Sequence, residues 1–125
     1  MTRRLLIIAL FAVGALAAPA PRALSLYGTV FNTTGGVEAK ARITLTVDGE
    51  MVKGSLATEA PLTGSGSLEG RFRNGWLELS GKLTEGLSIQ FRGALNSVDY
   101  RGTYIAAVPG TPVQYGKFQL AVEKK

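Results

Sequence analysis

Residues 68–83 read LEGRFRNGWLELSGKL. Leu68, Gly70 and Phe72 alternate with charged residues before Asn74-Gly75, and Leu77, Leu79 and Gly81 alternate with polar ones after it. A period of two marks a strand with one buried face, and Asn-Gly tolerates the positive φ values of a tight hairpin turn. Folding the stretch about that turn sets Phe72 opposite Leu77, Gly70 opposite Leu79 and Leu68 opposite Gly81. The apolar faces coincide, so the register is consistent with burial on one side. What needs explaining is why the buried face of each run contains a glycine.

The same reading extends along the chain. Residues 37–47 alternate Val37, Ala39, Ala41, Ile43, Leu45 and Val47 with Glu38, Lys40, Arg42, Thr44 and Thr46. Asp48-Gly49 then reads as a two-residue turn, placing Val47 opposite Glu50, Leu45 opposite Val52, Ile43 opposite Gly54 and Ala41 opposite Leu56. Thr84-Glu85-Gly86 reads as a three-residue loop that pairs Gly81 with Ile89, Leu79 with Phe91 and Leu77 with Gly93. Asn96-Ser97 reads as the next turn, pairing Leu95 with Val98, Gly93 with Tyr100, Phe91 with Gly102 and Ile89 with Tyr104. A first strand over residues 24–31 and a last over residues 113–123 complete eight, with longer links at residues 58–66 and 107–112.

These strands predict an all-β, eight-stranded antiparallel up-and-down meander. Glycines facing large residues on the inner side allow a strongly curved sheet to close, so the expected architecture is a small closed or nearly closed β-barrel without free edges. An open bent sheet or a two-sheet sandwich is the alternative. A lipid-spanning barrel would turn its apolar face outward between aromatic girdles on strands of about 9 to 11 residues. Several runs here are shorter, and their apolar face is punctuated by glycine.

Residues 1–25, MTRRLLIIALFAVGALAAPAPRALS, have the layout of a secretory signal peptide: Arg3 and Arg4, an apolar run, then small residues. The run is shorter than the roughly 20 apolar residues of a comfortable membrane span. Ala15-Leu16-Ala17 is the best cleavage site, dividing the chain into a signal peptide over residues 1–17 and a single barrel domain over residues 18–125. The expected location is therefore periplasmic or extracellular, with no transmembrane span in the mature chain. The short leader looks bacterial, and the absence of cysteine excludes a lipoprotein anchor.

Fourteen Lys and Arg less Arg3 and Arg4 leave twelve against nine Asp and Glu, a mature net charge of +3. That mild excess gives no support to nucleic acid as a partner. With no cysteine and no histidine, the chain lacks disulfides, the commonest metal ligand and the commonest general base. Glu38, Glu69 and Glu78 fall on the outer face among Lys40, Arg42, Arg71, Arg73 and Lys82, as a solvated barrel wall requires. No catalytic pair converges, so no enzyme activity, cofactor or metal site is expected.

Two groups of residues remain as candidate sites. Trp76, the only tryptophan, should point outward beside Arg73 and, with Arg71 and Tyr115, is the expected interaction surface. Inside, Phe72, Phe91, Tyr100, Tyr104 and Phe118 would line any cavity, the two tyrosine hydroxyls bonding either a ligand or buried backbone.

Gly28-Thr29-Val30-Phe31-Asn32 resembles the first-strand G-T-W-aromatic-N stretch of the avidin family, whose members are eight-stranded up-and-down barrels. The resemblance implies that Asn32 faces a ligand. Val30 stands in place of the family's tryptophan and Gly36 in place of a ligand-binding serine, and a chain with one tryptophan cannot build the aromatic box, so no biotin binding is expected. Two functions follow. One is a non-catalytic structural or protein-interaction module of the cell envelope or extracellular space, recognising another macromolecule. The alternative is a lipocalin-like or avidin-like barrel holding a small apolar ligand.

Overall fold

The computed structural model describes residues 20–62 and 64–124, so the leader read over residues 1–17 lies outside the described residues. Eight strands follow in chain order: β1 (Arg22–Asn32), β2 (Val37–Asp48), β3 (Met51–Thr58), β4 (Ser65–Arg73), β5 (Trp76–Lys82), β6 (Ser88–Leu95), β7 (Asp99–Ala107) and β8 (Gln114–Val122). Each pairs antiparallel with the next, and β8 returns to β1 from Leu26↔Val122 to Asn32↔Gly116. The predicted meander therefore closes into a barrel, and the open sheet and sandwich are excluded. Following the pairing once round brings β1 back displaced by about ten residues, a stagger that goes with strands tilted roughly 35–45° to the axis.

Period-two alternation decides inside from outside as expected. In β2 every second residue from Ala39 to Val47 is buried, while Glu38, Lys40, Arg42, Thr44 and Thr46 are exposed. The core joins Leu26, Ile43, Leu56, Leu77, Leu79, Phe91, Tyr100 and Leu120, all nearly sealed from solvent. Apolar side chains inside and charged ones outside are the reverse of a lipid-facing barrel.

Gly70 answers the question raised by its position. A Cβ built there would collide with the backbone carbonyl oxygen of Glu78, and the carbonyl carbon would lie at 2.7 Å. The neighbouring strand thus passes through the space where a side chain would begin. Gly54, Gly81, Gly93 and Gly102 meet neighbouring carbonyls in the same way. Close backbone approach, rather than room for a large partner alone, is what requires glycine. The expected pairing of each inward glycine with a large residue fails at Gly93↔Gly102, where two glycines face each other.

Turn chemistry separates the correct registers from the incorrect ones. Asn74 (φ 52) and Gly75 (φ 78) form the expected turn, with Phe72↔Leu77 and Gly70↔Leu79. The loop Thr84–Gly86 is also as expected, with Glu85 and Gly86 both at positive φ. Two other turns lie one residue further along than predicted. Asp48 pairs with Met51, so the turn is Gly49-Glu50, and Leu45 faces Gly54 while Ile43 faces Leu56. Beyond β6, Asn96 Oδ1 accepts from the amides of Val98 (2.7 Å) and Asp99 (2.9 Å), and the Asn96 amide donates to the Asp99 carbonyl (3.0 Å). This side-chain turn moves the central residues to Ser97-Val98, and Leu95 faces Tyr100 while Phe91 faces Tyr104.

The same turn buries Asp99, the only charged residue in the barrel's buried set among the described residues. Arg101 Nη2 donates to its carboxylate at 2.7 Å and Gln119 Nε2 at 3.3 Å. The Arg101 hydrogen bond holds the Asp99 carboxyl below the usual carboxylate range, with Gln119 adding to it against the opposing effect of burial.

Gly70→Ala should lower the unfolding free energy by about 1–3 kcal/mol, by the overpacking its Cβ enforces; Gln90→Ala on the exposed wall should stay within about 0.5 kcal/mol. Urea unfolding followed by circular dichroism measures both. Because the Asp99 pKa is lowered by folding, its stabilisation is present above the unfolded value near about 4 and is lost as pH falls through the folded value. The stability gap between the native protein and Asp99→Asn should therefore narrow as pH is taken from about 5 to about 2; a gap constant over that range would refute this role for the carboxylate.

Candidate functional site

Closure of the barrel places outward residues from both chain ends side by side. One outer row runs Arg71, Glu78, Arg92, Thr103, Lys117 and Phe31, each paired with the next across successive strands. The adjoining row runs Arg73, Trp76, Ala94, Arg101 and Gln119. Small residues at Ala94, Gly102 and Thr103 leave the middle low, and a groove of about 830 Å3 lies there between Trp76 and Phe31. Trp76 is 46% exposed, yet its indole Nε1 donates to Glu78 Oε2 at 3.0 Å, which orients the ring along the wall. Lys117 Nζ lies 5.7 Å from the Phe31 ring centroid at the opposite rim.

The charges of this wall are largely paired. Arg92 Nε stands 3.5 Å from Glu78, Arg73 Nε 3.2 Å and Arg71 4.0 Å from Glu50, and Arg101 is held by Asp99. The pairs on Glu50 and Glu78, exposed on both sides, contribute little stability, and they leave a mixed surface around the groove. Arg71, Arg73 and Trp76 therefore come together as the sequence suggested. Tyr115 does not join them: it is exposed beside Ile105, at the other end of the barrel. Phe31, Arg92, Thr103 and Lys117 were missed. The only signal for Phe31 was that both faces of the first strand are partly apolar; its nearness to Trp76 depends on closure.

The interior candidates divide between core and cavity. Phe91 packs against Phe118 (5.2 Å, nearly perpendicular) and Tyr104 (5.7 Å), and Tyr100 against Phe118 (4.6 Å). Tyr100 Oη donates to the Leu77 carbonyl at 2.9 Å, and burial pushes its pKa far up, so it serves the buried backbone. Phe72 is half-buried near the short-turn end, packed against the core. A cavity of about 200 Å3 opens at the other end, beneath the longer links, with Asn32, Phe91 and Tyr104 at its edge. Phe72, Tyr100 and Phe118 do not border it. Asn32 Oδ1 accepts from the Gly35 amide (2.9 Å) within the β1–β2 turn and its Nδ2 donates to Gln114 Oε1 (3.0 Å) at the start of β8, so both polar atoms have partners within the protein. Among the described residues no group of acidic side chains is placed to hold a metal ion, and no helix is long and apolar enough to cross a membrane.

Comparison with protein families, with curated proteins and with solved structures finds no match for this chain. The five-residue likeness of β1 to the avidin family thus has no wider counterpart.

Trp76 fluorescence should be readily quenched by iodide, and Trp76→Ala should cost well under about 2 kcal/mol. A larger loss, measured by urea unfolding, would mark the indole as packed structure.

Proposed function

We propose that the protein is an exported, non-catalytic β-barrel that works as a protein-interaction module of the cell envelope or extracellular space. The observation that carries this reading is the contrast between inside and outside. The interior is largely filled by its own aromatic and aliphatic side chains, while the outer wall carries a groove four times larger in volume, about 830 Å3 against about 200 Å3, edged by Trp76 and Phe31. Aromatic rims beside arginine favour contact with another protein.

The partner that suits this groove is an extended protein segment with an apolar side chain for the space between the two rings and a carboxylate for Lys117. Lys117 is the rim cation without a carboxylate within salt-bridge distance among the described residues. Nucleic acid is disfavoured because the arginines already face Glu50, Glu78 and Asp99, which weakens any field toward phosphates. Export rests on the leader in residues 1–17, and the non-catalytic character on Glu38, Glu69 and Glu78 lying apart on the outer wall without histidine or cysteine beside them.

The test is a photo-cross-linker placed in the producing cell at Thr103, on the groove floor, and in parallel at the exposed Ala57 on the far wall. A discrete protein adduct from Thr103 alone, lost with Trp76→Ala and weakened by added salt, is the expected outcome. Equal adducts from both positions, or an adduct unaffected by Trp76→Ala, would overturn it.

A further inference from the structure

The cavity at the longer-link end carries an inference independent of the outer groove. We propose that it is a binding site for a small neutral molecule of single-ring size that has an apolar body and one hydrogen-bond acceptor, such as a carbonyl oxygen.

Size comes first. The cavity is about 200 Å3, below the roughly 300–1,000 Å3 of drug-sized pockets but above the about 150 Å3 that accepts benzene in an apolar protein cavity. Polarity comes second. Leu83, Leu87, Ile89 and Phe91 form most of its walls, Leu62 packs over it from the β3–β4 link, and no charged side chain belongs to the described lining. Of its polar lining, Asn32 donates to Gln114 (3.0 Å) and Thr58 to the Gly64 carbonyl (2.8 Å). An ion would lose its hydration there without compensation.

The hydrogen-bonding capacity comes third. Tyr104 lies on the lining and is only 5% exposed, yet its hydroxyl has no hydrogen-bond partner among the described residues. No fully buried side-chain oxygen or nitrogen among those residues lacks a partner, so this hydroxyl retains accessible surface. The ring lies across Gly116, where any Cβ would strike it, and packs at a tilt of 43° against Phe91. Glycine at that position and the aromatic neighbour thus hold the phenol in place. Its near-twin Tyr100 spends its hydroxyl on the Leu77 carbonyl; Tyr104 keeps its own for something that enters.

The test titrates the isotope-labelled mature protein with acetophenone, ethylbenzene and benzoate, followed by amide chemical shifts. Acetophenone should give saturable shifts confined to the cavity lining, with ethylbenzene binding more weakly and benzoate hardly at all. Tyr104→Phe keeps the ring on Phe91 and removes only the hydroxyl. It should weaken acetophenone by about five-fold, the worth of one hydrogen bond, and leave ethylbenzene unchanged. Ala106→Leu, checked for folding by its amide spectrum, should fill the cavity and abolish both. The proposal fails if neither neutral probe saturates at millimolar concentration, if the shifts lie elsewhere, if benzoate binds as well as acetophenone, or if Tyr104→Phe leaves the preference for acetophenone intact.

Discussion

At Gly54, Gly70, Gly81, Gly93 and Gly102 the carbonyl of a neighbouring strand occupies the space where a side chain would start. This close approach of backbone to backbone underlies the rest of the molecule. A sheet of eight strands can close on itself at this size only if it coils sharply, and sharp coiling drives adjacent strands together at a few points. Any residue with a Cβ at those points would force the strands apart. Closure in turn removes both sheet edges, so all backbone pairing between strands is internal.

Closure also separates the two surfaces on which function can reside. Inside, the aromatic residues of β6, β7 and β8 pack against one another at 4.6–5.7 Å, and a small space lies beside Phe91 and Tyr104 beneath the longer links. Outside, alternation supplies a polar, charge-paired wall, and the low glycine and alanine positions hollow it. The glycines that permit curvature thus also help shape the outer groove, with Gly102 on its lining. Trp76 and Phe31, far apart in the chain, become its two rims because β8 pairs with β1.

Much of the fold could be read from residues 37–104 because the side-chain period of a strand is two. That periodicity says which residues face inward, and β2, β4, β5 and β6 obey it almost residue by residue. It does not say where a turn falls. A turn displaced by one residue changes the pairing by two, and a shift of two leaves every apolar side chain on the same face. The register of β2 with β3 and of β6 with β7 therefore passed the test of coincident faces while being wrong. In the second case the deciding atom was Asn96 Oδ1, which captures the amides of Val98 and Asp99 and makes Asn96 the residue before the turn rather than its first member.

By itself the sequence determined the strand number, the inward and outward faces, the Asn74-Gly75 turn, the outward Trp76 and the glycine-punctuated curvature, since all of these follow from local periodicity and local turn chemistry. Only the tertiary structure decided that β8 meets β1, that Gly93 faces Gly102, that Tyr100 bonds backbone while Tyr104 does not, and that Phe31 and Lys117 stand across a groove from Trp76. The physical reason is common to these four. Each depends on which residues become neighbours when the sheet pairs and closes, and neighbours across strands are set by register and stagger, which alternation along a single strand does not encode.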